Sequence, residues 1–131
     1  MKTSSFFVCL ALAAPVVAKP VAPVPAAPDP GAIVYEEVCQ ACHMANAKGA
    51  VGAGRITGLA NNINLASADY PIAVVTGGKG GMPWFRGSLT DEQIADGINY
   101  VRSHFGNRYR DRITAADVAE RGLPVPKGRE R

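Results

Sequence analysis

The stretch Cys39-Gln40-Ala41-Cys42-His43 decides how this chain is read. Cys-x-x-Cys-His is the attachment signature of a c-type haem. Two thiols three positions apart fall on one side of a helical turn, where each can add to a vinyl group along one porphyrin edge. His43 then aims its imidazole at the iron as the proximal ligand. Three other readings compete. A thioredoxin-like Cys-x-x-Cys needs a strand before it and a βαβ pattern around it; here a helical pattern precedes it. A zinc site wants about four ligands, and His43 directly after Cys42 is a poor spacing for one. A Cys39–Cys42 disulfide closes a very tight ring and leaves His43 unexplained.

The rest of the composition agrees with the haem reading. The chain has 131 residues, 47% hydrophobic and 19% charged, with net charge +3, which suits one small domain. Lys2, the apolar run Phe6 to Ala14 and the small residue in Val16-Val17-Ala18 read as a secretory signal peptide over 1–18. The run is short of the ~20 apolar residues that span a membrane, and Pro15 interrupts it. Cys9 lies inside it behind Val8, a poor lipoprotein site. Cleavage near Ala18 leaves two thiols, both in the signature. Export to the periplasm fits, because bacteria attach c-type haem on the far side of the inner membrane. The macrocycle also supplies apolar bulk that so small a core lacks.

Residues 19–30 are mostly Pro, Ala and Val and read as an extended linker. Asp29 caps a helix with Pro30 at its first position, running through Tyr35 into the cysteine turn, with Glu36 and Glu37 on a solvated face. From Ala45 to Leu65 no period is sustained. This predicts a long loop with one short turn, wrapped against a haem face, with Val51, Ile56, Leu59 and Leu65 facing the macrocycle or the core. Asp69 reads as the cap of a short helix that Gly77-Gly78 ends. Thr90 and Gln93 form a capping box for a helix carrying Ile94, Ile98 and Val101, ended by Gly106. Gly97 inside it costs ~1 kcal/mol relative to Ala, which suggests close helix approach, onto Gly31 and Tyr35. Residues 108–131 carry seven basic side chains against four acidic ones. They read as a solvated extension packed loosely on the domain, with Thr114 capping a short helix to Arg121. The arginines are neither dense nor interleaved with aromatics, which argues against nucleic acid as a partner.

Gly77-Gly78-Lys79-Gly80-Gly81-Met82-Pro83 lacks the Walker spacing of a phosphate loop. Its glycines let backbone approach a bulky group and deliver Met82 to the open side of the iron. Of the other candidates for the distal ligand, Met44 adjoins His43 and cannot reach the opposite face, and His104 reads as a surface residue at a helix C-terminus. His/Met ligation raises the reduction potential and closes the metal to substrate.

These motifs, with Leu89-Thr90-Asp91-Glu92-Gln93-Ile94 and Asn99-Tyr100-Val101-Arg102-Ser103, resemble the bacterial class I, monohaem cytochromes c over residues 31–107. The resemblance implies an all-α fold, its N- and C-terminal helices crossing near Gly31, Tyr35, Gly97 and Tyr100, with haem in a crevice. It implies Cys39 and Cys42 as thioether anchors, His43 as proximal ligand and Met82 as distal ligand. There is one departure. The family often has a proline after the haem motif, near the carbonyl that orients the proximal histidine. Gly54-Arg55-Ile56-Thr57 has none, so the acceptor for the His43 ring N–H stays open. Arg55 or Trp84 is a candidate to bond a haem propionate, and Trp84 reads equally as a packing or rim residue.

The expected function is a periplasmic one-electron carrier, not an enzyme, though a dehydrogenase's cytochrome subunit fits too. By family analogy the donor is an exported dehydrogenase and the acceptor a terminal oxidase or another cytochrome. Membrane contact is expected only in transient docking. Lys48, Lys79 and Arg86 are placed around the haem edge, steering acidic partners. The rival is a haem enzyme or ligand sensor, a weak peroxidase or gas binder, with a labile distal site.

Overall fold

The computed structural model describes residues 26–125 and 127. The signal peptide and most of the linker predicted above lie outside the described residues. The described chain is mainly helical. Asp29 caps α1 (Pro30–Val34), its Oδ1 accepting from the Gly31 N–H at 2.8 Å, with Pro30 at the first helical position. The chain continues through a π-helical turn, Tyr35–Cys39, into α2 (Gln40–His43). A π turn holds one residue more than an α turn and so re-phases the faces on either side of it. Tyr35 is buried, Cys39 half-buried and Cys42 exposed.

The loop predicted over 45–65 contains a small antiparallel hairpin, β1 (Ala50–Val51) and β2 (Arg55–Ile56), with Ala50 opposite Ile56. A 3₁₀ turn, Ile63–Leu65, follows, capped by Asn62. The purely helical expectation therefore meets one exception. Leu65 is buried and Leu59 half-buried, whereas Val51 stands 85% exposed.

α3 spans Asp69–Gly77 and α4 spans Asp91–Ser103. Asp69 does not cap α3. It is the first helical residue, and its carboxylate pairs with Arg121 at 2.8 Å. Thr90 and Gln93 form the capping box of α4. That helix ends at Ser103, ahead of Gly106. His104 leaves it in an extended conformation, and Phe105 and Gly106, both at positive φ, turn the chain.

α1 meets α4 at two glycines. A Cβ at Gly31 would meet the Asp96 carbonyl oxygen and lie 2.7 Å from Tyr100 Cβ; one at Gly97 would lie 2.8 Å from Val34 Cγ1. Gly97 thus makes room for Val34, not for Gly31 and Tyr35. The Tyr35 ring packs on Tyr100 and Phe105, with centroids 5.8 and 4.7 Å away.

The region after residue 107 corrects the expectation of loose packing. α5 (Ala115–Arg121) has its own capping box, Thr114 with Asp117. Ile113 and Val118 are buried in one cluster with Ile72, Ile94, Ala95 and Ile98. The charge pattern hid this, because Ile113 and Val118 are the only large apolar side chains between Arg110 and Arg121. A second cluster gathers Tyr35, Ala47, Leu65 and Val101, with half-buried Cys39 and Leu59 against it.

Candidate haem site

The Tyr35–His43 segment brings Cys39, Cys42 and His43 together on one continuous helical stretch. Neither Cys39 nor Cys42 is in a disulfide. Burial, and after it the neighbouring Cys42, pushes the Cys39 thiol up to about 11, so it is neutral at ordinary pH. Among the described residues no group of three or more His, Cys, Asp or Glu side chains converges as a metal site.

His43 is 8% exposed, and its Nδ1 lies 2.9 Å from the Thr57 carbonyl oxygen. A carbonyl can only accept, so Nδ1 is the donor, and in the neutral ring that leaves the lone pair on Nε2. This answers the question left by the missing proline: Thr57, just after β2, supplies the acceptor through its backbone. The Gly49 N–H donates to the His43 carbonyl at 3.2 Å, and Leu59 and Ala60 N–H groups both donate to the Ala47 carbonyl. These bonds tie the hairpin region back to the histidine turn. On the other side, the Tyr35 hydroxyl donates to the Met44 carbonyl at 2.7 Å. Met44 sits at φ 66°, a backbone state uncommon for a non-glycine residue.

Met82 lies apart from this group in sequence, between α3 and α4. Its loop is more ordered than a glycine-rich tether. Lys79 and Met82 exchange both backbone hydrogen bonds, each 3.0 Å, around Gly80-Gly81. Gly80 has φ +60°, the sign that the first central position of a type II′ hairpin turn requires. Gly78, at φ +76°, ends α3 and packs so closely that a Cβ would lie 2.9 Å from the Met82 carbonyl oxygen. Met82 and Trp84 are half-buried. The other sulfur candidate, Met44, is 37% exposed. His104 is exposed, its Nδ1 2.8 Å from the Tyr100 carbonyl and its ring stacked on Tyr100.

Among the cations expected at a haem edge, Lys48 and Lys79 are exposed; Lys79 reaches the Tyr70 hydroxyl at 3.4 Å. Arg86 departs from that expectation. Its guanidinium is occupied by the Val118 carbonyl at 2.7 Å, the Gly122 and Leu123 carbonyls at 3.0 and 3.1 Å, and Asp91 at 3.1 Å. Arg55 is exposed on β2.

The family model described as "Cytochrome C oxidase, cbb3-type, subunit III" matches residues 26–101. The chain belongs to the cytochrome c family. This cytochrome is 35% identical to cytochrome c6 of Thermosynechococcus vestitus, over 77% of its own chain and 91% of the relative. It is 31% identical to the cytochrome c subunit of the quinone alcohol dehydrogenase of Gluconacetobacter polyoxogenes, over 73% of this chain and 24% of that one. It is 34% identical to the gluconate 2-dehydrogenase cytochrome c subunit of Pantoea cypripedii, over 68% and 23%. The chain thus spans about a quarter of the length of each dehydrogenase subunit. Membership implies covalently bound haem c with its iron, consistent with a monohaem class I cytochrome c. The donor set fits that group: two cysteines outside any disulfide at the attachment spacing and a buried imidazole with Nε2 available. Among the described residues no helix is long and apolar enough to cross a membrane.

Proposed function

We propose that this cytochrome is an exported, periplasmic one-electron carrier whose haem is bonded to Cys39 and Cys42 and ligated by His43 and Met82. Residues 1–18 are its signal peptide, 19–30 a linker, 31–107 the haem domain with its first and last helices crossing, and 108–131 a basic extension. Haem c supplies the chemistry, the exchange of one electron at iron. The chain's residues do the rest. The observation that carries the reading is the His43 Nδ1 to Thr57 carbonyl bond, which holds the ring in the tautomer a proximal ligand needs. The Gly80-Gly81 hairpin supports the Met82 assignment by restricting where that thioether can go.

The proposed donor is an exported dehydrogenase, and the acceptor a terminal oxidase or another cytochrome. Two relatives are cytochrome c subunits of dehydrogenases by name, which supports such a donor. Docking is brief and through a small interface.

The test is a spectrum of protein matured with the haem-attachment machinery. The ferric form is expected to be low-spin with a sulfur-to-iron band, and Met82→Ala is expected to lose that band and to bind carbon monoxide once reduced. A high-spin wild-type spectrum, or a Met82→Ala spectrum identical to wild type, overturns the ligand assignment and favours an open distal site.

A further inference from the structure

We infer that the chain beyond α4 is a clamp that positions the Met82 hairpin, with Arg86 and Leu123 as its positioning residues. The inference rests on the proposal that Met82 is a ligand. Thr76 and Arg86 bracket Met82 in sequence, and the segment just after α5 holds both. On the leading side, the Leu123 N–H donates to Thr76 Oγ1 at 2.9 Å, while Thr76 itself donates to the Ile72 carbonyl at 2.7 Å. The Leu123 side chain covers Gly77, where a Cβ would lie 2.5 Å from Leu123 Cδ1. On the trailing side, Arg86 gathers the Val118, Gly122 and Leu123 carbonyls, all at the C-terminal end of α5. The Val118 carbonyl also accepts from the Gly122 N–H at 2.9 Å, so Arg86 takes its second lone pair, and a cation there also meets the negative end of the helix dipole. The two sides converge at Gly122, where a Cβ would lie 2.9 Å from both Arg86 Nη2 and Thr76 Cγ2.

The clamp is anchored, because Val118 is fully buried against α3 and α4. Asp91, the first residue of α4, also holds Arg86, through Nη2 at 3.1 Å. The hairpin therefore hangs between two points that cannot separate without freeing α5 from the core. All clamp residues from Ala115 to Leu123 lie beyond the residues the family model matches. A thioether held this way loses less freedom on binding, so an external ligand should displace it less readily.

The experiment titrates imidazole against the ferric, matured protein, following the sulfur-to-iron band. Arg86→Lys keeps the charge but cannot serve several carbonyls with one planar fork. It is expected to raise the apparent imidazole affinity about tenfold, equivalent to ~1.4 kcal/mol. Leu123→Ala is expected to raise it in the same direction, and carries the test alone should Arg86→Lys not mature. Amide hydrogen exchange at Lys79 and Met82 should quicken in both. Asp29→Ala, which removes the cap of α1, a bond that involves no clamp residue, controls for general destabilisation and is expected to leave imidazole affinity unchanged. Unmoved affinity in Arg86→Lys and Leu123→Ala, or an equal rise in Asp29→Ala, overturns the clamp while the methionine band stands. A wild-type spectrum that Met82→Ala does not alter overturns the ligand reading and the clamp together.

Discussion

At the scale of single residues, several side chains act through backbone carbonyls. Arg102 is fully buried. Its Nε donates to the Leu65 carbonyl at 2.9 Å and its Nη atoms to the Ala66 and Asp111 carbonyls and the Asp111 carboxylate. Arg102→Met keeps the stem but leaves the inward-facing Leu65 carbonyl without its donor. It is expected to cost about 3 kcal/mol in denaturant unfolding. Tyr35 behaves differently. Burial first, then Cys39 and Tyr100, pushes its hydroxyl up to about 12. A raised folded-state value means the folded protein holds the proton more tightly. Its contribution is therefore intact below pH 10 and lost as pH rises toward and through 12. In a thioether-bonded protein the Cys39 charge is gone but the burial remains. Tyr35→Phe should lose about 1 kcal/mol at neutral pH, for the bond to the Met44 carbonyl. It should also flatten the alkaline limb of a stability–pH curve; an unchanged limb would show that another group sets it.

At the scale of elements, α1 depends on α4 for its position, and the two glycines between them are not equivalent. At Gly97 a methyl group meets the Val34 side chain, and the ~1 kcal/mol gained in helix propensity offsets part of the strain. At Gly31 it meets the Asp96 backbone oxygen, which cannot step aside. Gly31→Ala should therefore destabilise by about 1–3 kcal/mol and Gly97→Ala by less. Thermal melts of the two variants check that order, and its reversal would mean α1 shifts freely on α4. Thr90→Ala removes the capping box of α4 and should cost about 1 kcal/mol without altering the haem spectrum.

At the scale of the molecule, the segment after α4 closes the structure. Arg102 and Asp111 join it to the 65–66 turn, Arg86 joins it to the start of α4, and Arg121 pairs with Asp69 of α3. The hydrogen bond from Arg102 holds the Asp111 carboxyl below its ordinary value, and that from Thr114 does the same for Asp117. A lowered folded-state value gives a contribution present above the ordinary carboxylate range and lost as pH falls through the folded value. Acid should therefore loosen this segment early, read as faster amide exchange in α5 than in α4. Asp111→Asn should remove part of that acid dependence, and an identical acid profile would place it elsewhere.

Local chemistry was legible in the amino-acid sequence. The Cys39–His43 signature, the caps at Asp29, Thr90 and Thr114, and the glycine stop at Gly78 each depend on residues within a few positions, so spacing alone determined them. Tertiary structure decided what depends on distant partners. The acceptor for His43 lies 14 residues away, and the carbonyls held by Arg86 lie 32 to 37 residues away. Nothing in the local pattern distinguishes an arginine bound for solvent from one that folding will enclose. Only packing, which brings α5 against α3 and α4, turned a basic tail into part of the core.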